Sequence, residues 1–226
     1  TMSDAVAKDL QDIYPNDRTK VTPHPIYNIY GDKIPQEEAR KKLHWDDTPT
    51  LLFFGLVRKY KGLDLLLDAL HLVQNKDWKL CIAGEFYDDP QKYHQKIAAY
   101  QLQDNIIMDD HFIDDEDIKY YFSAADIMVQ PDRTATQSGV AQIAYHFETP
   151  MLVTDVGGLA EIVPDGKVEK VSTPDAIDLT AKIDALLDNR SVLEEYRKNI
   201  PEYRKKYEWP YFIENILALY QQIGKS

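Results

Sequence analysis

From residue 49 onward, short apolar runs rich in β-branched and aromatic residues alternate with longer stretches of helical period. Five runs predict strands: 50–55 (TLLFFG), 78–84 (WKLCIAG), 105–108, 126–130 (DIMVQ) and 151–154 (MLVT). Their nearly continuous apolarity suits strands covered on both faces, as in a parallel sheet with crossover helices. Between the first two, Leu63, Leu66, Leu67, Leu70 and Val73 recur at three- and four-residue intervals and predict one helical face against the sheet. Val140, Ile143, Ala144 and Phe147 predict another helix, ending before Thr149-Pro150 because proline disfavours helix in the preceding residue. Thr173 as cap, with Pro174 at the first helical position, opens a third helix carrying Leu179, Ile183, Leu186 and Leu187. Two more follow, the last starting near Trp209-Pro210 with Phe212, Ile216, Leu219 and Ile223 on one face. The fold class is therefore α/β, a Rossmann-like doubly wound parallel sheet with helices on both faces.

The first 48 residues differ, because Pro15, Pro23, Pro25 and Pro35 divide them into a short helix over 3–13, a strand-like VTPHP and a charged helix over 37–43. That pattern suits a leading segment more than a domain. Across all 226 residues, 26 basic against 38 acidic side chains give a net charge of −12, which argues against general nucleic-acid binding. A chain of this length buries roughly 70–75% of its unfolded surface, and 44% hydrophobic residues supply a core without metal or disulfide. The single cysteine, Cys81, sits in an apolar run and is expected to be a buried thiol, consistent with a reducing cytoplasm. No basic-then-apolar start and no apolar run of roughly 18 residues is present, so the expected location is cytoplasmic.

Ligands of open α/β sheets bind beyond the carboxyl ends of the strands, so the loops there carry the candidate chemistry. After the first strand, residues 55–62 (GLVRKYKG) combine two glycines with three cations at a helix start, a setting for phosphate or diphosphate or else a solvated basic turn. Neither a dinucleotide fingerprint nor a P-loop has this spacing. After DIMVQ, residues 131–139 (PDRTATQSG) are dense in hydroxyls and end in a glycine at the next helix, either a second anion-accepting terminus or ordinary capping by Thr136 or Ser138. After MLVT, the Gly157-Gly158 pair permits close approach of a ligand, and Glu161 is either an acceptor for sugar hydroxyls or a surface glutamate on a tight turn. The acidic run 108–117 invites a metal reading, but Asp114 as N-cap with acidic residues in the first turn explains it structurally, and no metal is assigned. The 15 tyrosines read as half-buried packing.

Four stretches in order, LLFFGLVRKYKGLDLLLDAL (51–70), LCIAGE (80–85), HFIDDEDIKYYFSAADIMVQP (111–131) and TPMLVTDVGGLAEIVPDG (149–166), resemble the nucleotide-sugar-binding half of GT-B glycosyltransferases of family four. The resemblance runs from about Val21 to the tail. It implies residues 1–20 as the end of an acceptor-side domain, 21–207 as the donor-binding domain and 208–226 as a crossover helix that returns to the other domain. The chain is then one half of a two-domain enzyme, excised or truncated, and alone is expected to bind donor weakly and transfer little.

The resemblance also implies a retaining transfer of a hexose-type sugar from a nucleoside diphosphate to a glycan or lipid-linked acceptor in bacterial polysaccharide synthesis. By position it gives Arg58 and Lys61 as cations on the leaving diphosphate, with Gly55 allowing close approach. Phe112 and Ile113 match the nucleobase-pocket segment, with Glu85 at the neighbouring strand end, and Ser138 and Gly139 offer amides and a hydroxyl to phosphate. The donor is a substrate, no cofactor or metal is required, and any membrane contact belongs to the other half. Two departures stand out: Ala135 and Ile143 occupy positions where the family commonly carries paired glutamates, and Leu56 stands where an arginine is usual. Thr136, Gln137 and Gln142 are the candidate polar substitutes. A non-catalytic scaffold and a sugar-nucleotide epimerase are the alternative readings, the latter needing a carboxylate such as Glu161.

Overall fold

The computed structural model describes residues 1–15, 19–163, 170–171 and 173–223. Among them, six strands form one parallel sheet: β1 (Thr50–Phe54), β2 (Lys79–Ala83), β3 (Ile106–Asp109), β4 (Ile127–Gln130), β5 (Met151–Thr154) and β6 (Lys170–Val171), in the order β3-β2-β1-β4-β5-β6. The helices are α1 (Asp4–Ile13), α2 (Gln36–Leu43), α3 (Leu63–Leu72), α4 (Gln91–Ala99), α5 (Ile118–Ala124), α6 (Gly139–Phe147), α7 (Leu159–Ile162), α8 (Ala176–Asp188), α9 (Ser191–Tyr203) and α10 (Trp209–Ile223). The sequence signals five of the strands; β6, with two residues, is too short to leave an apolar pattern. Residues 164–166 of the last resembling stretch lie outside the described residues, as does the side chain of Ile223.

Strand alternation sends successive side chains to opposite faces and so builds two cores. Leu51 and Phe53 of β1, Leu80 and Ile82 of β2 and Val129 of β4 face α3, α4, α8 and α9. Leu52, Cys81, Met128 and Val153 face the other way, against α5 and α6. Register places Leu52 beside Cys81 on one side and Met128 on the other. Burial pushes the Cys81 thiol well above its usual pKa, which suits an inert core residue. The leucine face of α3 is fully enclosed, as its spacing implies.

Three local expectations are corrected. The VTPHP segment joins no described strand: Thr22 N–H bonds to Thr1 O and Ile26 N–H to Tyr207 O, and its prolines have no donor for a ladder. Thr173 does not cap α8; Asp175 does, its carboxylate accepting from Ile177 N and Asp178 N, so Pro174 lies before the helix. Asp114 opens a turn closed by Asp117 N, and α5 starts only at Ile118.

At the amino edge of the sheet, Asp126 collects a buried polar network. Its Oδ2 accepts from Arg40 Nη2 at 2.7 Å and Thr50 N at 2.7 Å, and its Oδ1 from Gln36 at 3.3 Å and Arg190 at 3.2 Å. Arg40 also donates to Ala124 O and Asp46 O. This network ties α2, which has few apolar residues of its own, to β1 and β4.

On the α3–α4 surface, Asp68 accepts from Lys96 Nζ through both oxygens at 2.7 Å and from Tyr100 OH at 2.5 Å. Burial pushes its carboxyl upward, but the bonds from Lys96 and Tyr100 outweigh it, leaving the pKa below 3.8. A depressed folded pKa stabilises above the unfolded value and is lost as pH falls through the folded one. Asp68→Asn is therefore expected to lower stability at pH 7 by about 1 kcal/mol or less, the pair being partly exposed. In urea titrations the difference from wild type should shrink below pH 4, and a constant difference would count against it.

Candidate functional site

The strand order reverses between β1 and β4, so their carboxyl ends bound the crevice in which open α/β sheets take ligands. The loops there are 55–62 and 131–138. Glycines bring them together. A Cβ on Gly62, whose φ is +70°, would lie 2.0 Å from Pro131 O, and one on Gly84 would lie 2.2 Å from Gly55 O. Backbone contact at these points locks the loop after β1 to those after β2 and β4, supported by Arg133 N–H bonding to Tyr60 O at 2.7 Å.

The cations do not meet in one place. Lys61 is largely enclosed and bonds Asp132 Oδ2 at 3.0 Å, opening on a cavity of about 420 Å³ lined with Tyr60, Thr134 and 135–137. Arg58 instead stacks over the Tyr87 ring at 4.8 Å and borders a second, shallower groove of about 690 Å³ with Lys59 and Arg133. Tyr60 and Thr134 line both, so the two adjoin there. The resemblance implies Arg58 and Lys61 on one diphosphate; in the structure, Arg58 borders the neighbouring groove and Lys61 the crevice.

The Asp132 carboxylate itself gave no signal in the sequence, since an acidic residue after Pro131 reads as solvated loop. Its side chain is 0% exposed. Gln130 Nε2 also donates to its Oδ2 at 3.3 Å, and Thr154 Oγ1 bonds its main-chain oxygen at 2.5 Å. Among the described residues, its Oδ1 has no partner. Burial raises its pKa, against the pull of Lys61 and Gln130.

The second loop ends at α6, where Ser138 is the N-cap. Its Oγ accepts from Ala141 N at 3.1 Å and donates to Gln130 Oε1 at 2.9 Å. The hydroxyl expected to reach phosphate thus serves the cap, and the amides of the first turn not met by it are left without a partner within the helix. The Tyr27 ring lies against Gly139, 3.2 Å from where a Cβ would stand, so a larger residue there would have to displace the ring by a few tenths of an ångström.

Thr136 and Gln137 are exposed and line both the crevice and the smaller cavity under α1. Gln142 does not line the crevice: it is 1% exposed and faces that smaller cavity, of about 100 Å³. Ile143 faces the core and Ala135 lines the crevice without a polar group. Phe112 stands 61% exposed, open to a base, whereas Ile113 is 6% exposed and belongs to the core, so its role is packing. Glu85 is half-buried beside the crevice, and its main-chain oxygen accepts from Val57 N.

Glu161 has a use that the sequence does not disclose. Its carboxylate accepts from Asp4 N at 2.8 Å and Ala5 N at 3.0 Å, bracing the positive end of α1. Its carboxylate is thus engaged with α1 at the rim of the small cavity there. In the acidic run, Asp109 accepts from Tyr121 OH at 3.0 Å, and the described residues contain no group of three or more His, Cys, Asp or Glu able to hold a metal. No helix of the described residues is long and apolar enough to cross a membrane.

With this geometry in place, comparison with known proteins gives concordant matches. The family model described as "Glycosyl transferases group 1" matches residues 35–207. Alpha-D-kanosaminyltransferase of Streptomyces kanamyceticus is 25% identical over 194 residues, 83% of this chain and 49% of that protein. Among solved structures, sucrose-phosphate synthase from Thermosynechococcus elongatus superposes with a TM-score of 0.85 at 24% identity, covering all of this chain and 58% of that one. Anabaena Alr3699/HepE in complex with UDP and glucose superposes at 0.80 with 16% identity, covering 100% and 63%. The chain spans about half the length of the curated relatives it matches.

Proposed function

Because the chain belongs to the group 1 glycosyl transferases, its residues 35–207 matching that family, we propose that it is the donor-binding half of a retaining glycosyltransferase. Its crevice takes a nucleoside-diphosphate sugar, whose hexose passes to a glycan or lipid-linked acceptor held by the other half. The observation that carries this reading is the placement of an enclosed ammonium, Lys61, and the α6 N-terminus on the two sides of the β1/β4 switch point. As the glycosidic bond breaks, negative charge grows on the diphosphate, and fixed donors aimed at that charge lower the barrier. In this scheme the two donors replace a metal ion.

Phe112, exposed at the end of β3, offers a face for the base, and Thr136 and Gln137 offer polar contacts to the sugar. The apolar residues left exposed on α10, Trp209, Ile213, Ile216 and Leu217 among them, are where the other half docks. An epimerase is less well served, since Glu161 is taken by α1. A non-catalytic scaffold draws on Ala135 and Ile143.

Thermal unfolding with UDP, GDP and ADP, each with magnesium and with EDTA, tests the reading. A ligand at a hundredfold excess over Kd adds about 2.7 kcal/mol, roughly 5–11 °C for a chain this size. A shift with one nucleotide that survives EDTA is the expected result. No shift at millimolar ligand would mean either that the crevice needs the other half to bind donor or that the scaffold reading holds.

A further inference from the structure

Asp132 is an expensive residue with no packing role that demands it. Its carboxylate is wholly enclosed and, among the described residues, one of its oxygens has no partner, a state that disfavours burial of the charge. A neutral residue of the same size would fill the space without that cost. What the carboxylate does is hold Lys61, and it does so from a braced position. Thr154 fixes its main chain, and Gln130 Nε2 donates to the same oxygen that Lys61 meets. Gln130 Oε1 in turn accepts from Ser138, whose hydroxyl caps α6.

We propose that Asp132 is a positioning residue: it fixes the Lys61 ammonium and, through Gln130 and Ser138, holds it at one separation from the α6 N-terminus. The inference rests on the donor reading above and adds how the site selects a diphosphate. A ligand with two linked phosphoryl groups engages both anion-accepting elements at once only if their spacing is fixed. A monophosphate settles on either element alone and is insensitive to the spacing. Asp132 therefore governs discrimination between the two, and it acts through Lys61 without touching the ligand.

The test uses wild type, Asp132→Asn, Lys61→Met and the double variant, titrated calorimetrically with UDP and UMP and with inorganic pyrophosphate and phosphate. Asp132→Asn is expected to weaken UDP and pyrophosphate about tenfold while UMP and phosphate change less than twofold. On the Lys61→Met background, Asp132→Asn should add nothing. Equal losses for mono- and diphosphates, additive losses in the double variant, or tighter diphosphate binding by Asp132→Asn would each overturn the proposal. Should wild type bind neither UDP nor pyrophosphate, the donor reading fails, and the pairing is then read from thermal unfolding of the same proteins. Lys61→Met strands an enclosed carboxylate and lowers the midpoint, and adding Asp132→Asn should restore it. No restoration would overturn the proposal on that ground alone.

Discussion

Gly62→Ala is expected to cost about 3 kcal/mol or more in stability and to remove anion binding from the crevice together with it. Gly62 takes φ +70°, a region that side chains with a Cβ adopt only with strain, and it stands at the junction of two backbones. Its new Cβ would lie 2.0 Å from Pro131 O and 3.0 Å from Pro131 C. Neither atom belongs to a flexible side chain, so the loop after β1 must retreat from the loop after β4. Lys61 precedes Gly62 directly and its partner Asp132 follows Pro131 directly, so the retreat pulls that ion pair apart. Urea unfolding reads the first effect and UDP titration of the folded fraction the second. A variant that keeps wild-type stability and UDP affinity would show that the two loops are not joined as described.

Asp126→Ala is expected to be of similar size in stability, about 3–5 kcal/mol, or roughly 6–20 °C in Tm. The carboxylate answers Arg40, Thr50 N–H, Gln36 and Arg190, and its removal leaves a buried guanidinium and a buried amide unpaired. The consequence for function is the opposite of that at Gly62. Asp126 precedes β4 at the amino edge of the sheet, away from the crevice, so below its lowered Tm the variant should bind nucleotide as wild type does. Replacing the pair jointly, Arg40→Met with Asp126→Leu, is expected to recover part of the loss, because no buried charge is then left unpaired; Arg190 is about half exposed and stays solvated, while the Thr50 amide still lacks its acceptor. A loss under about 1 kcal/mol for Asp126→Ala would mean that water reaches Arg40 freely.

The comparison of these two edges shows what a sequence discloses and what it withholds. Strands β1, β2 and β4 were legible because burial on both faces leaves almost no polar residue, and α3 because its leucines keep a helical interval that a sheet face requires. Capping at the start of α6 was legible as a choice between Thr136 and Ser138, and the fold selects Ser138. By contrast α4 is polar along most of its length and buries only Tyr93 and Ile97, too few positions to fix a period. Asp132 and Glu161 escaped for one shared reason. Their partners, Lys61 and the first amides of α1, lie 71 and about 157 positions away, so only the folded chain brings them together. Arg58 and Lys61, three positions apart in sequence, border different grooves: Arg58 leaves extended backbone to lie over the Tyr87 ring, whereas Lys61, at the end of the 3-10 turn, is held by Asp132. Loop composition thus pointed to the crevice between β1 and β4, while the pairing of Lys61 with Asp132 there required the fold.

The most direct measurement is backbone amide NMR of the isotopically labelled chain during titration with UDP in the presence of EDTA. Perturbations concentrated at residues 55–62 and 134–140, with a further response at Phe112, are the expected result for a nucleoside diphosphate held between β1 and β4. Perturbations centred instead on residues 2–4, 21–24 and 158–162, which line the cavity beneath α1 away from the crevice, or an unchanged spectrum at millimolar UDP, would contradict a donor site in this crevice.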